Sequence, residues 1–328
     1  MANTRKSLPS GTRSPAVTTA LTACLQRHVQ SGERLLVGLS GGVDSVALLH
    51  ALASTNTANL SALHIHHGLS RNADHWASFC EQTARCLGVP ISVAHVTVER
   101  GTPDGLEAAA RRARHAAFAQ AMTDWVVLAH HRDDQAETLL FNLLRGTGLA
   151  GAAAMRERSG RLLRPLLSVA RAEIEDYARQ QGLEWIEDES NLDTRHTRNF
   201  LRHRVLAPLT QRFPAAQANL AAATSRFAEA LDLLDALARS DLGAQDAFPL
   251  AIETLHQLDE PRARNALRYL LARNDVPIPS EARLRESLRQ MLTAGADRHP
   301  ALVLGNYRLL RRRGKIYLEP FDPSNDSR

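Results

Sequence analysis

Two short runs hold the residue types that could do chemistry. The first is Ser40-Gly41-Gly42-Val43-Asp44-Ser45. Its glycines remove the Cβ atoms that would keep an anion away from the backbone. The apolar run Leu35 to Leu39 before it reads as a buried strand, and Val46, Leu49 and Leu52 after it repeat at helical spacing. Backbone N–H groups at such a helix start point outward, and the helix dipole adds about half a positive charge there. The run is therefore a phosphate cradle, with Ser40 placed to cap the helix. It is not the G-x-x-x-x-G-K-[ST] loop, because no lysine is present. Asp44 stands inside it instead, and an acid beside phosphates calls for a cation between them. The second run is His130-His131-Arg132-Asp133-Asp134-Gln135-Ala136-Glu137-Thr138. Asp134 and Glu137, three residues apart, share one helix face, with Thr138 and Arg145 near it. Two carboxylates at the mouth of a phosphate site can hold a divalent cation or an ammonium group. Helix capping by Asp133 or Asp134 explains one acid and not the cluster.

Four strand–helix steps position these runs. The strands are read as Leu35 to Leu39, Leu60 to Ile65, Ile91 to Val96 and Trp125 to Ala129. That alternation predicts an α/β fold with a doubly wound parallel sheet. The phosphate loop follows the first strand and the acidic run the fourth, as expected where strand order switches and a crevice opens. Leu139, Leu140, Leu143 and Leu144 are read as the buried side of the acidic helix. His64, His66 and His67 end the second strand. No nearby carboxylate or cysteine completes a zinc set, so a ligand-binding loop is the preferred reading, with His66 a substrate or phosphate contact. A helix from Leu106 carries Glu107, Arg111, Arg112 and Arg114. On spacing alone this is a solvated charged face. Arg195, Arg198, Arg202 and Arg204 crowd a short helix start, either as a solvated basic face or as contacts to nucleic-acid or nucleotide phosphates.

The 328 residues suffice for two domains. Residues 1–15 are read as a flexible tail, 16–210 as the catalytic domain, and 211–328 as a helical linker and a small, mainly helical second domain. Helices are expected over Ala215 to Leu242, Glu260 to Asn274 and Ser280 to Thr293, then two strands, Leu302 to Leu310 and Lys315 to Leu318, joined through Arg311–Gly314. The net charge of +5 fits a nucleic-acid partner without requiring one. Lysine stands only at Lys6 and Lys315, so the arginine excess reads first as coding bias. Cys24, Cys80 and Cys86 form no C-x-x-C, which suggests neither zinc nor an iron–sulfur cluster and fits a reducing compartment. No apolar run is long enough to span a membrane, and residues 1–32, although free of Asp and Glu, lack the apolar core of a secretory signal.

Taken together, the motifs carry a family resemblance. Ser40–Ser45 resembles the PP-loop of the N-type ATP pyrophosphatases. Further segments resemble the tRNA(Ile)-lysidine synthases: His64-Ile-His-His-Gly68, Glu107 with Ala110-Arg111-Arg112, His130–Thr138, Asn142-Leu-Leu-Arg145-Gly146, Arg164-Pro-Leu-Leu, Trp185-Ile-Glu-Asp188 with Asn191, and Arg198-Asn-Phe-Leu-Arg202. The resemblance covers about residues 34–206. It implies that lysine is ligated to C2 of the wobble cytidine of a CAU-anticodon tRNA(Ile), through an adenylated cytidine, with release of AMP and pyrophosphate. It implies ATP as substrate with Mg²⁺, and ATP held by Ser40, Gly41, Gly42, Val43, Asp44 and Ser45. Arg112, Asp134 and Glu137 would be catalytic, with Asp44 and Asp134 sharing the metal. His66, Glu107, Arg111, Asn142, Arg145, Arg198 and Arg202 would contact substrate or phosphate. Free L-lysine, the tRNA, a bacterial cytoplasmic location and a homodimer follow from the same resemblance. Longer family members carry a further C-terminal domain, and this sequence is expected to end before it. The alternatives are a PP-loop tRNA-cytidine thiolase, disfavoured by the lack of C-x-x-C; an ammonia-dependent small-molecule ligase, disfavoured by the basic second domain; and a non-catalytic nucleotide- or RNA-binding module, which leaves the acidic run unexplained.

Overall fold

The computed structural model describes residues 15–55, 59–99, 101, 105–187, 193–295, 298 and 300–322. Residues 1–14 of the expected tail, the middle of the Gly101–Gly105 loop, and Asp188 and Asn191 of the second-last motif lie outside the described residues. The chain divides into two compact units, Met1–Thr147 with Gly151–Ser225, and Gly148–Ala150 with Arg226–Arg328.

In the first unit α1 (Pro15–His28), β1 (Leu35–Gly38), α2 (Val43–Ala53), β2 (Leu60–His66), α3 (Ala73–Cys86), β3 (Ile91–His95), α4 (Leu106–Gln120), β4 (Trp125–Val127) and α5 (Arg132–Leu144) follow in order. After α6 (Leu149–Ala152), β5 (Arg158–Ser159) and β6 (Leu162–Leu163) comes α7 (Arg171–Gln180). The sheet order is β3-β2-β1-β4-β6-β5, parallel except for the β5–β6 pair. The chain thus winds outward from β1 to β3 and returns to β4 on the other side of β1. The switch in strand order expected between β1 and β4 is there, and the two chemical runs leave these adjacent strands.

Burial on both faces explains the unbroken apolar strand. Leu35 and Val37 enter the larger core with Val46, Leu49 and Ile174, whereas Leu36 enters the opposite cluster with Phe118, Val126 and Leu128. Gly38 lets these layers close: a Cβ there would meet Leu128 Cδ2 at 2.8 Å and Phe118 Cζ at 2.9 Å. Helix α2 goes further than its expected stripe, with Ala47, Leu48 and Ala51 buried beside Val46, Leu49 and Leu52. A helix apolar all round is a core helix.

Beyond α7 come α8 (Thr197–Phe200), a π-helical segment Leu201–Leu206, α9 (Ala207–Arg212) and the long α10 (Ala216–Leu242), inside which the two units part. The second unit continues through β7 (Leu250–Ala251), α11 (Ile252–His256), α12 (Glu260–Arg273), α13 (Glu281–Thr293), β8 (Ala301–Leu304), β9 (Tyr307–Arg312) and β10 (Lys315–Pro320). Its core joins Leu267, Leu270, Leu284, Leu288, Leu309 and Ile316. The stretch read as one strand, Leu302 to Leu310, is two, because Gly305 takes a φ of +57° and folds it into a hairpin. The basic turn at Arg313-Gly314 is as read, with φ values of +50° and +71° and Lys315 paired to Arg312. With β7 the result is an antiparallel sheet ordered β7-β10-β9-β8 against the helices.

Candidate active site

The phosphate loop is held by its own serines. Ser40 Oγ and Ser45 Oγ lie 3.0 Å apart, Ser45 Oγ donates to the Gly42 carbonyl at 3.0 Å, and the Ser40 N–H donates to Ser45 Oγ at 3.2 Å. Ser40 was expected to cap α2, but Gly42 occupies the N-cap and Ser40 instead ties the loop. Gly41 has a φ of +90°, and its carbonyl accepts the Ile186 N–H at 2.9 Å. The helical ladder begins with the Val46 N–H donating to Gly42, so the N–H groups of Val43 and Asp44 precede it and face the crevice end.

Asp44 meets the acidic run through His131, which the sequence reading passed over. His131 Nε2 stands 3.7 Å from Asp44 Oδ2 and 3.5 Å from Asp134 Oδ2. His131, and neither Asp133 nor Asp134, is the N-cap of α5: its Nδ1 accepts the Asp134 N–H at 3.4 Å, and Asp134 Oδ2 accepts the His131 N–H at 3.0 Å. Because Nδ1 accepts, the proton of the neutral ring sits on Nε2, facing both carboxylates. Burial holds His131 below its ordinary pKa and pushes Asp44 and Asp134 above theirs. Asp133 accepts the Arg171 N–H at 2.7 Å and so fastens α7 to α5.

Glu137 is buried and already paired. Arg202 Nε donates to its Oε1 at 2.6 Å and Arg202 Nη2 to its Oε2 at 3.0 Å, while Nη2 also reaches Asp134 Oδ1 at 3.6 Å. The π-helical segment carries Arg202 to this face. Such segments insert an extra residue per turn and recur at functional sites. The buried stripe of α5 is Gln135–Leu139; Leu143 and Leu144, expected inside, are 47% and 70% exposed.

Beside the carboxylates lies a group of arginines. Arg111 and Arg114 of α4, Arg164 and Arg198 all act on His130, and together with its burial hold that ring down at a pKa of about 3. Among the described residues Glu107 answers them with an ion pair, to Arg198 at 3.6 Å. Arg164 is buried, with Nη1 donating to the Arg156 carbonyl at 2.9 Å and Nε without a partner among the described residues. Crowded like charges with too few acids describe an anion site. Arg112, one residue on, is exposed. Other expected contacts lie elsewhere: His66 pairs with Asp74 at 3.0 Å and stacks on His95, Asn142 Nδ2 donates to the Gly151 carbonyl at 2.8 Å, and Arg145 lies over the Phe141 ring.

Comparison with known proteins places this arrangement. Residues 14–209 match the family model described as a PP-loop domain, and residues 250–317 the model described as the TilS substrate binding domain. A tRNA(Ile)-lysidine synthase of Nitrosomonas europaea is 41% identical over 321 residues, 93% of this chain and 70% of that protein. One of Aromatoleum aromaticum is 46% identical, over 88% of this chain and 69% of that one. The chain belongs to the tRNA(Ile)-lysidine synthase family. Among solved structures, the U34-tRNA thiolase NcsA of Methanococcus maripaludis with its [4Fe-4S] cluster aligns at a TM-score of 0.54 and 14% identity, covering 65% of this chain and 78% of that one. At that identity the likeness is one of fold. Within the family frame, the loop and the α5 carboxylates are the parts that the sequence made visible. His130, His131 and Arg164 stood inside quoted motifs without a role, and their signal was position: a strand end, an N-cap and a buried arginine before a proline.

Proposed function

We propose that the chain joins lysine to C2 of the wobble cytidine of CAU-anticodon tRNA(Ile), consuming ATP and releasing AMP and pyrophosphate. The observation that carries this reading is the meeting of Asp44 from the phosphate loop with Asp134 from α5 across His131, at the β1–β4 crevice and beside the arginine group. In the first step the cytidine C2 oxygen attacks the α-phosphorus of ATP. The new O–P bond forms as the bond to the β-phosphate oxygen breaks, and pyrophosphate leaves into the Ser40–Ser45 loop. The N–H groups of Val43 and Asp44 and the guanidiniums of Arg111, Arg112 and Arg198 offset the charge that develops. In the second step the ε-amine of lysine attacks C2, the C2–O bond breaks, and AMP departs. The attacking nitrogen gives up a proton, and Asp134, its pKa raised by burial, is positioned to take it. Glu137 holds the Arg202 fork in place, and through it Arg202 stays beside Asp134.

The donor set also fits Mg²⁺. Asp44 Oδ1 is buried with no hydrogen-bond partner among the described residues, and carboxylate oxygens suit a hard cation. Asp44 and Asp134 would hold the ion, whose contribution is to neutralise phosphate charge. Residues 16–210 carry the chemistry in this reading and 211–328 hold the tRNA. No helix among the described residues is long and apolar enough to cross a membrane, and the reaction belongs in the bacterial cytoplasm.

Labelled lysine, ATP and Mg²⁺ with unmodified tRNA(Ile), beside a tRNA(Met) of the same anticodon, test the proposal. Label in the isoleucine tRNA alone is expected. Pyrophosphate release without label would keep the adenylating scaffold and require another nucleophile.

A further inference from the structure

The end of helix α1 meets Glu157 with a donor set that no step above uses. Cys24 and His28 stand one turn apart on one face of α1. Glu157, just before β5, meets both: its Oε1 is 3.3 Å from His28 Nε2, and its carboxylate accepts the Cys24 thiol. The three donor atoms all lie within 4.8 Å of one another.

We propose that Cys24, His28 and Glu157 form a binding site for a thiophilic divalent cation, with Zn²⁺ the natural occupant. The donors are one sulfur, one imidazole nitrogen and one carboxylate oxygen, the mixture that borderline-soft metals take and that Mg²⁺ and Ca²⁺ do not. Zinc bonds of about 2.0–2.2 Å to nitrogen and oxygen, at a tetrahedral angle, set the N···O edge near 3.3–3.4 Å. The His28–Glu157 separation of 3.3 Å is that edge. The scaffold is fixed on both sides. Cys24 is fully buried with Val17 and Leu21 in the main core, and the Glu157 carbonyl accepts the Arg164 N–H at 2.8 Å. The side chains of His28 and Glu157 are 20% and 32% exposed, which leaves a path from solvent and room for water as the fourth ligand.

Binding exchanges one cation for another. The thiol is protonated, since burial and the neighbouring carboxylate push its pKa well up. The metal forms the S–M bond as the thiol proton leaves to solvent, and thiolate plus carboxylate then balance the 2+ charge. Arg27 competes, donating from Nη2 to both Glu157 oxygens at 2.9 and 2.8 Å. Its side chain is 56% exposed and can turn into water.

The test is Co²⁺ titration of the whole, untagged chain, followed by sulfur-to-cobalt charge-transfer absorption and by metal content after desalting. One Co²⁺ per chain, displaced by Zn²⁺, is expected. Cys24→Ser should remove the absorption, and His28→Ala, at a partly exposed position that spares the core, should weaken binding by more than about tenfold. Arg27→Ala should tighten it. An unchanged affinity in both His28→Ala and Glu157→Gln would overturn the site. So would an absorption that survives Cys24→Ser and vanishes in Cys86→Ser, since Cys86 is the exposed thiol.

Discussion

Asp134 and Glu137 look alike in sequence and do different work in the fold. Glu137 is 2% exposed and bound by both arms of the Arg202 guanidinium. Asp134 accepts the His131 N–H, faces His131 Nε2 at 3.5 Å and lies 3.6 Å from Arg202, without the two-armed grip that holds Glu137, so its charge stays available to a ligand. Asp134→Asn keeps an oxygen for the cap and removes the charge. The fold should persist while lysine transfer falls by about 10²–10⁴-fold, the range of general-base catalysis. Single-turnover assays of label and pyrophosphate would separate the two steps, and full lysine transfer in this variant would remove Asp134 from the mechanism. Arg202→Met leaves a buried carboxylate without its partner, which costs about 3–5 kcal/mol in comparable pairs. Urea denaturation should show that loss. Arg202→Lys keeps the charge and loses the planar fork, so it should recover most of the stability and little of the activity.

At the scale of elements, the two loop glycines make separable predictions. Gly41 has a φ of +90°, and a Cβ there would meet Ile186 Cδ1 at 3.1 Å and Cys80 Sγ at 3.2 Å, so Gly41→Ala should both destabilise the chain and weaken ATP binding. Gly42 has an ordinary φ of −74°, and its nearest neighbour for a Cβ is Ser40 Oγ at 3.7 Å. Gly42→Ala should therefore melt like the parent, because its added methyl meets only the space left for phosphate; ATP binding should be weaker. Calorimetric melting beside nucleotide titration would check both, and a Gly42→Ala chain with unchanged ATP affinity would move the phosphate elsewhere. The loop and the four strands were legible in the sequence because both rest on local pattern: glycine spacing, period and turn residues. The His131 cap was hidden because Asp133 and Asp134 cap equally well by composition, and only the course of β4 into α5 decides. The Glu137–Arg202 pair joins positions 65 apart and depends on a π-helical segment that no periodicity announces. Leu143 and Leu144 mislead for a related reason: α5 leaves the core after Leu139, and a helical stripe does not say where its partner ends.

Across the whole molecule, charge is arranged locally and not as one broad basic surface. Many arginines of the second unit are spent in ion pairs, Arg262 with Asp241, Arg268 with Asp235 and Arg273 with Asp246 among them. In the first unit positive charge gathers where Arg111, Arg114, Arg164 and Arg198 act together on His130, and it sets how the fold responds to acid. His130 is held at a pKa of about 3 by burial and by Arg164, Arg111, Arg198 and Arg114, and His67 at about 4 by burial, Arg114, His64 and His66. In the unfolded chain both rings titrate near 6.5. Below that pH the unfolded chain binds protons that the folded one refuses, so stability present above about pH 6.5 is lost progressively as the pH falls towards 4 and 3. Asp44 and Asp134, raised by burial, act with the opposite sign, so the informative quantity is the difference between chains and not one curve. Denaturant midpoints at pH 7.5, 6.5 and 5.5 should fall with acid in the parent and fall less in His130→Gln, whose side chain cannot titrate. Equal slopes would show that His130 is free to protonate. ATP gives the same experiment a second arm. With its outer phosphates in the Ser40–Ser45 loop and its α-phosphate beside the arginine group, it offsets the charges that repel a proton from His130, so saturating ATP should also flatten the parent's slope, and should do so less once Arg111 is replaced by Ala.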